Sequence, residues 1–226
     1  FEQASVYLRS HRANPSQPVD LRWESMIDVL DGKVPLIVVA EREAQIQSAV
    51  AFASRWKLKL IIYGGNDAVE CAELLREQKV PVIVNGVYRL PLRRDAAYDA
   101  AYTLPDRLRK ANVSFCIAGS ARFDASNIRN LPYHAAMAVA FGLPRELAVR
   151  AITLSPAEIL GVDDRIGSLE PGKHASLIVT DGDILDPATE VKHAFLQGRI
   201  VDLSDKQKRL YQKYTERQKQ IKTEAK

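Results

Sequence analysis

The chain is poor in the residues that most often announce chemistry. Its 226 residues include two cysteines, two tryptophans, two methionines and four histidines. Cys71 and Cys116 each sit in an apolar setting, so both are read as buried free thiols rather than a disulfide. His11, His134, His174 and His193 show neither H-x-H nor H-E-x-x-H spacing, the patterns that set paired imidazoles on a metal. An ordinary surface or helix-terminus role is expected for each. No apolar run approaches the roughly 20 residues of a membrane-crossing helix. The first residue is Phe1, and no basic-then-apolar segment opens the chain. Phe1 is expected to follow a cut or an upstream region, and this end does not reveal the compartment.

What is present is a globular composition. Apolar residues make up 46% and charged residues 27%, which supports a packed core and excludes a disordered class. The net charge of +4 is uneven: Lys206–Lys226 holds eight Lys or Arg and two Glu, so the tail carries +6 and the rest −2. A basic face on the folded body, which specific nucleic-acid recognition needs, is therefore not expected. The tail's charge permits only non-specific binding to nucleic acid or a membrane surface, and a solvated helix is the plainer reading. Leu210, Tyr214 and Tyr211 are expected to dock its first turns, with fraying beyond Arg217.

Periodicity predicts a short helix and a polar linker over 1–19, then a helix over 20–33 with Asp20 as N-cap. A repeated alternation follows. Apolar runs at 34–40, 58–65, 80–86 and 113–120 read as strands buried on both faces. Helices are predicted over 41–57, 66–79 and 104–112, then over 130–142, 144–153 and 155–161. Such connections force parallel strands covered by helices. Four strands make either half of an eight-stranded barrel or a small doubly wound sheet, and periodicity does not separate the two. After Gly161 the pattern turns strand-like, with a hairpin around Gln197-Gly198.

The stretch AVRAITLSPAEILGVDDRIGSLEPGKHASLIVTDGDILDPATEVKHAFLQGRIVDL (148–203) resembles the C-terminal segment of the amidohydrolase superfamily, in its imidazolonepropionase-like branch. The resemblance extends in looser form back to Leu21. It implies an α/β fold: the C-terminal half of a (β/α)8 barrel (20–165), strands of a small β-sandwich (166–204) and a basic helical tail (205–226). It also implies a partner, either the missing N-terminal half or a second copy of the chain.

The family's chemistry is metal-assisted hydrolysis, with ligands at the carboxyl ends of strands. The resemblance implies two histidines and an aspartate in this half. Val39, Tyr63 and Ser120 stand at those places, and none suits zinc. No metal ligand is therefore assigned here; a divalent ion such as zinc would need ligands from the N-terminal half. Tyr63, Asn85, Ser120 and Arg122 are candidates to line a small-molecule pocket, against a reading as plain rim polarity. Asp124 is a candidate base, against a loop cap for the following helix. Glu41 and Glu43 either face the same pocket or serve as helix-start carboxylates. The implied activity is hydrolysis of carbon–nitrogen bonds other than peptide bonds in small molecules. The alternative is a catalytically inactive binding or assembly module.

Overall fold

The computed structural model describes residues 1–119 and 124–224, with the side chains of 124, 125 and 222–224 excepted. Phe1–Ser168 with Leu185–Pro187 form one compact unit, and Leu169–Ile184 with Ala188–Lys226 a second.

The first unit is built on four strands, β1 (Leu36–Ala40), β2 (Leu60–Gly64), β3 (Val82–Asn85) and β4 (Phe115–Ala118), in the order β1-β2-β3-β4. All three pairings are parallel. Ahead of β1 come α1 (Glu2–Ala13), α2 (Leu21–Glu24) and α3 (Ile27–Leu30). The crossovers carry α4 (Glu43–Trp56), α5 (Ala72–Glu77) and α6 (Ala100–Lys110). After β4 follow α7 (Asp124–Asn127), α8 (Leu131–Ala140), α9 (Arg145–Ala151) and α10 (Leu154–Leu160).

Parallel register sets two faces. Ala40, Leu60, Ile62, Val82 and Val84 point into a core with Ile46, Ala49, Val50 and Ala53 of α4, Leu75 of α5, and Leu104 and Leu108 of α6. Each fully buried Ile or Leu there contributes about 1.5–3 kcal/mol, so this layer holds the sheet to its helices. On the other face Val39, Tyr63, Ile83 and Cys116 lie side by side. That face grades from Val39, 72% exposed, to Cys116, 3% exposed. The gradient follows α8, α9 and α10, which all pack against β4.

Burial on both faces therefore fails for β1, where Ile37 and Val39 are exposed. A continuous apolar run specifies a strand, but not what covers it. The helix expected over 20–33 is two short helices, with Asp20 Oδ1 accepting from the Arg22 amide at 3.0 Å as expected. The helix expected over 66–79 is reduced to Ala72–Glu77, because turns occupy the residues before it. The helix expected from 104 starts at Ala100 and holds the buried Pro105 inside it.

Three crossover helices end alike. Lys57, Lys79 and Asn112 adopt φ near +54°, +53° and +54°. The following amides, of Leu58, Val80 and Val113, bond back to the carbonyls of Ala53, Leu75 and Leu108 at 2.8–3.0 Å. This six-to-one closure satisfies carbonyls a helix end leaves open and turns the chain into the next strand. Gly161 (φ +68°) closes α10 in the same way, which is the stop expected at that residue.

The second unit holds an antiparallel sheet of β5 (Leu177–Thr180), β6 (Val191–Leu196) and β7 (Arg199–Ile200). Leu196 pairs with Arg199, so the β6–β7 loop is Gln197-Gly198, at the expected hairpin. Both loop residues have positive φ, as a tight two-residue hairpin demands. The unit ends in α11 (Lys206–Glu224). The expected docking of Leu210, Tyr211 and Tyr214 is not found; they are 39%, 74% and 53% exposed. No helix among the described residues is long and apolar enough to cross a membrane.

Candidate functional site

In a parallel sheet with helical crossovers, the loops leaving the carboxyl ends of the strands gather polar side chains in one place. Here they bring together Glu41 after β1, Tyr63 and Asp67 at and after β2, and Asn85, Arg89 and Arg93 at and after β3. Tyr63 and Asn85, both sequence candidates, are joined directly: the Tyr63 hydroxyl donates to Asn85 Oδ1 at 3.0 Å. Ser120 and Arg122 lie outside the described residues. Asp124 opens α7, and its side chain is outside the described set.

Glu41 faces inward. The Arg89 Nη1 donates to its two carboxylate oxygens at 3.2 and 3.4 Å, and the Asn66 amide donates at 3.2 Å. A glycine makes room for this: a Cβ on Gly64 (φ +107°) would stand 2.6 Å from the Glu41 carboxyl carbon. Glu43, by contrast, sits in the first turn of α4 and accepts from Gln47 at 2.9 Å. Gln45 closes that helix start by accepting from the Glu41 and Arg42 amides, both at 3.0 Å. A second latch joins Arg93 to Asp67 at 3.3 Å.

Arg89 is the residue sequence reasoning missed. Its side chain is 17% exposed, and its Nε and Nη2 are buried without a hydrogen-bond partner among the described residues. It lies in the irregular stretch between β3 and α6, where no periodicity marks it. Its place four residues after the end of a buried strand was the available signal.

His134 also departs from expectation. It is 5% exposed, and its Nδ1 accepts from the Val87 amide at 3.1 Å. That nitrogen must be unprotonated to accept, so the ring is a neutral clamp between α8 and the loop after β3. Cys71 and Cys116 are free and buried, as expected. Burial pushes the Cys116 thiol up to about 12 and, with Glu43, Glu70 and Asp67 nearby, raises that of Cys71. Neither is a thiolate nucleophile at neutral pH.

Among the described residues, no three His, Cys, Asp or Glu side chains are grouped closely enough to hold a metal ion. Val39 offers no lone pair, and the Tyr63 hydroxyl is engaged with Asn85. These two strand-end side chains do not fit a divalent ion. A depression of about 1100 Å³ lies at the opposite ends of the strands, among Lys57, Lys59, Arg76 and Lys79. Its lining mixes these cations with Glu158, Ser54 and Ser114, and cations beside helix carboxyl ends are favoured by the dipole alone.

The chain belongs to the amidohydrolase family, whose sequence model matches residues 48–201. It is 31% identical over 112 residues to an imidazolonepropionase of Picrophilus torridus, covering 46% of this chain and 28% of that protein. Among solved structures it resembles an amidohydrolase from Thermotoga maritima (TM-score 0.79, 27% identity), covering 89% of this chain and 53% of that one. It also resembles an adenosine deaminase from Xanthomonas campestris solved with bound zinc (TM-score 0.54, 22% identity), covering 89% and 54%. The last likeness is one of fold. The chain thus spans about half the length of these solved structures and less than a third of that curated relative.

Proposed function

We propose that the whole protein hydrolyses a carbon–nitrogen bond other than a peptide bond in a small molecule. This chain supplies the C-terminal half of its (β/α)8 barrel, and β5–β7 belong to the accompanying β-sandwich. Family membership over residues 48–201 carries the reading. In it, Tyr63, Asn85, Ser120 and Arg122 line one wall of the substrate pocket, and Asp124 carries the proton. A divalent ion such as zinc is assigned to the N-terminal half, because Val39 and Tyr63 do not fit one.

A second reading, a catalytically inactive binding or assembly module, draws on one specific observation. At the strand ends Tyr63 bonds to Asn85 and Glu41 pairs with Arg89, so polar groups there bind one another. The two readings part on one preparation: the protein together with its preceding half, assayed for metal by elemental analysis and for turnover on a panel of small cyclic amides. A stoichiometric divalent ion with turnover that falls at least tenfold in Asp124→Asn supports the hydrolase. Metal-free protein without turnover supports the module.

A further inference from the structure

The 19-residue helix α11 raises a question that the strand-end site does not answer. In proteins most of a helix's stability comes from packing of an apolar face rather than from propensity. Here the apolar side chains of α11 are left in solvent, Ile221 at 50% like Leu210, Tyr211 and Tyr214. Their arrangement is not random. At 3.6 residues per turn, Leu210, Tyr214 and Ile221 fall within an arc of about 40°, and Tyr211 extends the stripe to about 100°.

Cations border the stripe on one side and fill the opposite face. By the same geometry Arg217, Lys206 and Lys213 run along the edge within about 60° of Leu210, and Arg209, Lys219 and Lys208 continue round the back of the helix. Residues 206–221 hold six Lys or Arg and one acid, Glu216. Glu216 lies away from the stripe and reaches Lys219 at 4.0 Å. Among the described residues, Lys206, Lys213 and Arg217 have no ion-pair partner.

We propose that α11 binds an anionic lipid surface, lying flat with the Leu210–Tyr214–Ile221 stripe in the interface. Charge complementarity selects this occupant. Long basic side chains flanking a narrow apolar stripe place their stems along the acyl boundary and their heads among lipid phosphates and carboxylates. Tyrosine suits the same depth. A nucleic acid would engage the cations but leave the apolar stripe in water. The inference is independent of catalysis at the strand ends.

The test is co-sedimentation of the full protein with vesicles of phosphatidylcholine alone or with about 30% phosphatidylserine, where each basic residue gains from the surface potential. Binding is expected to acidic vesicles only, and to weaken at least tenfold in 0.5 M salt. It is expected to weaken at least tenfold again in Leu210→Ser/Tyr214→Ser/Ile221→Ser, which keeps every charge. An unchanged thermal melt shows that this variant is folded; a Lys213→Gln/Arg217→Gln variant, which keeps the stripe, should weaken in parallel. Three results overturn the proposal: no sedimentation with acidic vesicles, full retention by the triple serine variant, or tighter binding to a short nucleic-acid duplex at the same ionic strength.

Discussion

Arg89 carries its charge into a largely buried place, and among the described residues only Glu41 answers it. Removing the carboxylate leaves a buried cation with no counter-charge, which costs more than the pair contributes when intact. Glu41→Gln is therefore expected to destabilise the protein by roughly 2–3 kcal/mol. Glu41→Gln/Arg89→Met should recover most of that loss. Urea unfolding of the two single variants and the double variant measures the coupling, and strictly additive losses would count against the pairing. The same residue marks where sequence reading stopped. Val39, Tyr63 and Asn85 were legible as strand-end positions because apolar runs fix where strands end. Arg89 was not, because the loop holding it is organised by ion pairs between residues 26 and 48 apart, Arg93 to Asp67 and Arg89 to Glu41.

Among the elements, α6 carries its own acid-sensitive lock. Asp106 is 4% exposed and is bonded at 2.8 Å by both Arg109, three residues on, and Lys110, four on. Burial raises its pKa, but the bonds from Lys110 and Arg109 together outweigh that and hold the carboxyl below its usual range. A carboxyl depressed in the folded state contributes stability above its unfolded pKa of about 3.9, and that contribution disappears as pH falls through the folded value. Asp106→Asn should cost about 1–3 kcal/mol at pH 7 and flatten the loss of stability below about pH 4. Chemical denaturation at a series of pH values reads both; an acid limb as steep in the variant as in the parent would place the loss elsewhere. The sequence showed only part of this helix. Pro105 reads as a first-turn proline, which is its favoured place. In the fold the helix runs back to Ala100, so Pro105 lies in its interior, buried beside Leu104, and forfeits one helix hydrogen bond.

At the scale of the molecule, the four parallel strands were legible, since four apolar runs separated by helical periods admit little else. Their surroundings were not. Among the described residues β1 pairs with β2 alone and β4 with β3 alone, so the sheet has two free sides. Ile37 and Val39 stand exposed on the first of them. An uncovered apolar edge is a template for another chain. This polypeptide by itself should associate with rising concentration, and Val39→Lys should shift that association at least tenfold toward higher concentration in sedimentation velocity runs. A concentration-independent monomer would mean that the edge is inert.

The bare α-carbon of Gly64 has a consequence for any attempt to retrofit this scaffold with a bound cation. A histidine or aspartate grafted there would push the Glu41 carboxyl aside and would sit at a φ of +107°, which L side chains rarely adopt. Vacating Glu41 first would strand the Arg89 guanidinium. A ligand introduced at Gly64 is therefore expected to disturb the Glu41–Arg89 pair as well as the backbone at 64.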